Sequence, residues 1–111
     1  MCIRDRHWIV DNAKFNGGAP GIGLGAAEYL IDAGIVIAGA DTWPVEVVPN
    51  PDPKLAFPVH QELITRNGIY IHENVATERL AERNVYEFAY IFSPVPIKGA
   101  TGSAGAPLAV Y

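Results

Sequence analysis

A chain of 111 residues, half of them apolar and 18% charged, has the length of about one small domain and the composition of a packed globule. Its net charge of −4, with no Lys/Arg cluster, argues against nucleic acid as a partner, because phosphate binding needs a basic patch. No apolar run approaches the ~20 residues of a membrane span, no signal-peptide pattern opens the chain, and the single cysteine, Cys2, cannot form an internal disulfide. A reducing cytoplasm is the expected compartment.

Met1 to Arg6 carries neither periodicity nor turn logic. Those six residues are therefore read as a spurious start, residues 1–17 as leader and loop, and 18–111 as the C-terminal part of one domain. His7 to Val10 resembles a scrap of strand, and Asp11 to Gly18 a loop. Pro20 suits a first helical turn, where its missing N–H costs nothing. Ala26 to Ile31 then reads as helix, with Gly34 as its stop. Ile35 to Ala38 is short, β-branched and apolar throughout, the pattern of a parallel strand covered on both faces. A helix passing directly into such a strand indicates α/β layering.

From Gly39 to Pro58 the prolines at 44, 49, 51, 53 and 58 exclude a central strand or a continuous helix. A connection this long is usually a lid or binding loop, and Trp43, Val45, Val47, Val48 and Phe57 give it apolar groups to pack on a site or a partner subunit. Val59 to Arg66 is expected as a short helix with Leu63 and Ile64 inward, closed by Asn67-Gly68. Ile69 to Glu73 follows as a strand. Thr77 caps a helical turn through Arg83, Tyr86 to Phe92 is a strand, 93–107 is a Gly/Pro-rich loop, and Leu108 to Tyr111 is a terminal strand.

His60 and Glu73 are the residues with chemistry to offer. A divalent ion takes a neutral imidazole nitrogen and an anionic oxygen held on regular elements. On spacing alone, a satisfied helix histidine beside a solvated strand-end carboxylate explains the pair better. Strand alternation sets His72 on the face opposite Glu73, and His7 has no role. Gly21-Ile22-Gly23-Leu24-Gly25-Ala26 fits the G-x-G-x-x-A form of the dinucleotide fingerprint, with Asp41 at a suitable distance, but no apolar strand precedes it. A small-residue helix packed close to a sheet explains it better. Lys98 to Ser103 lacks the order of a phosphate loop, and Ser103 has no nucleophile elbow.

Three segments together carry a resemblance: Pro20-Gly21-Ile22-Gly23 through Gly39-Ala40-Asp41-Thr42-Trp43; Pro58-Val59-His60-Gln61-Glu62-Leu63 with Gly68-Ile69-Tyr70-Ile71 and Glu73-Asn74; and Pro96-Ile97-Lys98-Gly99-Ala100-Thr101-Gly102-Ser103. In this order they resemble the cyclase family that includes bacterial kynurenine formamidases and isatin hydrolase-like enzymes. The resemblance implies an α/β fold of swivelling β/β/α type. It implies a metal-dependent amidohydrolase that acts on a small cyclic or aryl amide through metal-bound hydroxide, with zinc or manganese. It makes His60 and Glu73 metal ligands. It also implies Asp41, Thr42, Trp43, Thr101, Gly102 and Ser103 as pocket positions, and a homo-oligomer when full length. The family's other ligands sit upstream in a His-x-Gly-Thr-His-x-Asp motif, which this sequence lacks. The chain is accordingly expected to be a C-terminal fragment, inactive alone, with its general base and other catalytic groups unassigned. Ala104 stands where many relatives have proline. The alternatives are a dinucleotide-binding α/β domain using Gly21, Gly23 and Asp41, or a non-catalytic interaction module.

Overall fold

With 11 glycines and nine prolines in 111 residues, long regular elements are ruled out, and the ones that form are short. The computed structural model describes residues 7–111; the expected leader Met1 to Arg6, Cys2 included, lies outside them. The chain forms two compact units, one ending at Thr77 and the other spanning Glu78–Tyr111. Together they make a mixed helix–strand architecture with two short sheets.

The first unit begins with α1, His7–Val10, and α2, Asn12–Asn16. Both replace the strand scrap and loop expected there. Asp11 is the reason for α2: its Oδ1 accepts the Lys14 N–H at 2.9 Å as an N-cap, and Phe15 is buried beneath it. Pro20 does not start a helix. It lies in an extended stretch whose neighbours pair with the proline-rich loop: the Ala19 and Val48 backbones exchange hydrogen bonds of 2.8 and 3.0 Å, and the Ile22 N–H donates to the Val45 carbonyl at 3.1 Å. Helix α3 follows over Leu24–Asp32 and ends where Gly34 takes φ +73°, a left-handed stop that glycine adopts without a Cβ penalty.

Strand β1, Ile37–Gly39, pairs in parallel with β2, Tyr70–His72, with Ala38 opposite Ile71. The expected strand, buried on both faces, is corrected: the sheet has two strands, β1 is only half-buried, and Val36 beside it is 74% exposed. Between the strands lies α4, Pro58–His60, which runs on as π-helical turns over Gln61–Arg66. Gly68, at φ +66°, closes it as expected. Leu63 is fully buried while Ile64 is 47% exposed, so the inward placement of Ile64 is also corrected. The widened turns put one apolar side chain inside, not two neighbours. Ala27, Val45, Val59, Leu63 and Ile69 form the core, joining α3, the loop, the α4–π helix and the residue that leads into β2.

The second unit holds α5, Glu78–Glu82, and an antiparallel ribbon of β3, Ala89–Ile91, with β4, Leu108–Val110. The Tyr90 and Phe92 rings stack with centroids 6.3 Å apart. Among the described residues no helix is long and apolar enough to cross a membrane.

Candidate functional site

The proline-rich loop is not a flap over the first unit; part of it is core. Thr42, Pro44, Val45 and Glu46 are buried, and the segment is tied down from two sides. On one side it pairs with residues 19–22, as above. On the other, the chain leaving β2 continues alongside it: the Asn74 N–H donates to the Thr42 carbonyl and the Val75 N–H to the Ala40 carbonyl, both at 3.0 Å. The close approach to residues 19–22 explains Gly21. A Cβ built there would lie 2.3 Å from the Glu46 carbonyl carbon and 2.6 Å from the Val45 oxygen, so no side chain fits. The glycine that matched a nucleotide fingerprint is thus accounted for by backbone packing.

This double anchoring brings His60 and Glu73 together. Glu73 leaves the end of β2, and its Oε1 accepts the Val45 N–H at 2.8 Å. His60 sits where α4 becomes π-helical, and its Nε2 lies 3.3 Å from the same Glu73 oxygen. The other ring nitrogen, Nδ1, is 2.5 Å from Oε1 of Glu46. Glu46 also takes the Val59 N–H on Oε2 at 3.2 Å and the His60 N–H on Oε1 at 3.0 Å. It thereby satisfies two of the orphan donors at the helix start, where Phe57, the N-cap residue, supplies no side-chain acceptor. Burial holds the Glu73 carboxyl above the usual carboxylate range; the Val45 N–H and His60 pull it back down, and Glu46 adds to the rise.

An aromatic wall stands beside the imidazole. The edge of Phe57 meets His60 at a centroid distance of 5.4 Å, and Trp43 meets Phe57 at 6.1 Å. Phe57 holds φ +49°, a left-handed conformation that costs a bulky residue about 1–2 kcal/mol. The indole N–H of Trp43 is buried with no acceptor among the described residues, whereas the Thr42 hydroxyl donates to the Pro44 carbonyl at 2.6 Å.

Of the residues marked in the sequence, His60 and Glu73 converge, and Thr42 and Trp43 lie in the loop that anchors Glu73, with Asp41 half-buried beside them. Thr101, Gly102 and Ser103 belong to an exposed loop of the second unit. His72 pairs with Gly39 in the parallel ladder, and burial pushes its imidazole down. Among the described residues no group of three or more His, Cys, Asp or Glu side chains is arranged around a common point for an ion. Sequence reasoning missed Glu46. The signal was present: a lone acid inside the apolar run Val45-Glu46-Val47-Val48, bracketed by Pro44 and Pro49, needs a buried partner. Comparisons with family models, characterised proteins and solved structures gave no match.

Proposed function

We propose that His60 and Glu73 are two ligands of a divalent-metal site, zinc or manganese, in a hydrolase of cyclase-like fold that acts on small cyclic or aryl amides. One contact carries the reading: His60 Nε2 and Glu73 Oε1, 3.3 Å apart. With Nδ1 tied to Glu46, the ring in its neutral form turns the Nε2 lone pair toward a carboxylate oxygen, and with a second proton it donates to that oxygen. Two acceptors at that distance repel unless a proton or a cation lies between them. Two ligands each about 2.0–2.1 Å from one tetrahedral ion stand about 3.3–3.4 Å apart, so the pair has the spacing of one edge of a zinc site. The resemblance described above points to the same two residues.

When bound, a divalent ion supplies Lewis-acid polarisation of a carbonyl and acidifies a water ligand. The chain's own groups account for the rest. Glu73 contributes charge and is aimed by the Val45 N–H; His60 contributes a neutral nitrogen whose direction is fixed by its second contact. Phe57 and Trp43 form an apolar wall against which an aryl amide packs edge-on.

Titration of the chain with zinc and with manganese, read by calorimetry, tests this reading. Saturable binding of one ion per chain is expected, weakened at least tenfold in both His60→Ala and Glu73→Ala and unchanged in His72→Ala. Binding that survives both substitutions would sink it.

A further inference from the structure

We infer that Glu46 is a positioning residue for the proposed site: it fixes the tautomer of His60, holding the ring proton on Nδ1 so that the Nε2 lone pair faces Glu73. The inference deepens the metal reading but rests on separate geometry.

Glu46 is 1% exposed and meets three nitrogens within one helical turn. Two of these, the backbone N–H groups of Val59 and His60, can only donate. Both carboxylate oxygens are therefore already acceptors, and Oε1 is one of them. As an ionised carboxylate oxygen, Oε1 has a second lone pair beside the one that takes the His60 N–H. Against the ionised carboxylate, the remaining contact, 2.5 Å to Nδ1, is satisfied when the ring donates. An ionised carboxylate is acceptor-only, and a neutral imidazole that donates from one nitrogen carries its lone pair on the other. In the neutral ring the lone pair thus falls on the nitrogen that faces Glu73. Two hydrogen bonds would have been enough to cap the helix start. The third serves the ring, and it links ring orientation to the helix itself, because one oxygen holds both the backbone and the side chain of His60. Carboxylates that hold metal-binding histidines from behind have this arrangement.

Replacing Glu46 by Gln keeps the size of the side chain but gives it an NH2 group. In one orientation that group opposes the Val59 N–H. In the other it opposes the His60 N–H and turns Nδ1 into an acceptor. The first orientation leaves an uncharged carbonyl facing Nδ1 and the second a donor, so in both the ring's preference for the Nδ1 proton falls in E46Q.

The test is 15N–1H NMR of the imidazoles in the metal-free chain at a pH above the imidazole range, with His60→Ala assigning the signals. In the wild type a proton on Nδ1 of His60 is expected; in E46Q that signal should be lost or the proton moved to Nε2. Zinc affinity is expected to fall about 10–100-fold in E46Q. A bare Nδ1 with the proton on Nε2 in the wild type overturns the inference without recourse to any variant, and this arm decides if E46Q does not fold. A folded E46Q that keeps the Nδ1 proton and full zinc affinity overturns it as well. If the proton moves as expected but no cation binds the wild type, Glu46 keeps its positioning role and the metal reading fails instead.

Discussion

Gly21→Ala is the change that joins the fold to the site most closely. The new Cβ would sit 2.3 Å from the Glu46 carbonyl carbon and 2.5 Å from its oxygen. Ordinary contact needs about 3.4 Å, so one of the two backbones must retreat by about 1 Å. Both are held: the Ile22 N–H donates to Val45 and the Val47 N–H to Ile22. Overpacking a well-fitted interior costs about 1–3 kcal/mol, and a backbone clash belongs at the upper end. The displaced segment carries the Val45 N–H that aims Glu73 at 2.8 Å, and a shift of that size breaks the bond. Urea denaturation should show G21A destabilised by about 2–3 kcal/mol. Zinc titration of the folded variant should show weaker binding than the wild type. Gly25→Ala is the control: nothing lies within 4 Å of its Cβ, and a helical Gly→Ala change should stabilise by up to about 1 kcal/mol. If G21A unfolds at the wild-type urea midpoint, the close approach of residues 21 and 46 is wrong, and with it the account of how Glu73 is positioned.

Glu73 gives a pH signature. Its carboxyl is raised mainly by burial, so folding favours the protonated form. Its contribution is fully present below the unfolded value and is lost as pH rises through the higher folded one. Glu73→Gln keeps an acceptor for the Val45 N–H and removes the titration. In metal-free protein, thermal melts should show wild-type stability declining across the upper carboxylate range and E73Q flat there; equal slopes would refute the burial. Leu63→Ala, at a fully buried core position, should cost about 2–5 kcal/mol in urea denaturation. Ile64→Ala, 47% exposed, should change stability by only about 0.5 kcal/mol.

What the sequence revealed is governed by the range of the forces involved. The left-handed stops at Gly34 and Gly68 were legible because glycine's backbone freedom is a local property. The π-helical turns were not, since period-3.6 reasoning has no way to foresee them; hence the misplacement of Ile64. Pro20 misled for a related reason: its fixed φ suits an extended bridge as well as a helix start, and the choice was made by pairing with Val48 across the proline-rich loop. His60 and Glu73 could be selected by residue type and resemblance, yet the group that orients one of them lies fourteen residues upstream in a segment with no regular structure. That pairing depends on tertiary contacts alone, and only the apolar surroundings of Glu46 hinted at it.

The most direct measurement is an anomalous difference map from crystals of the chain soaked in zinc. The expected result is one peak about 2.0–2.2 Å from both His60 Nε2 and a Glu73 carboxylate oxygen, with His60 Nδ1 still against Glu46. A map with no peak there and the two side chains in direct hydrogen bond, or with zinc bound elsewhere, would contradict the metal site.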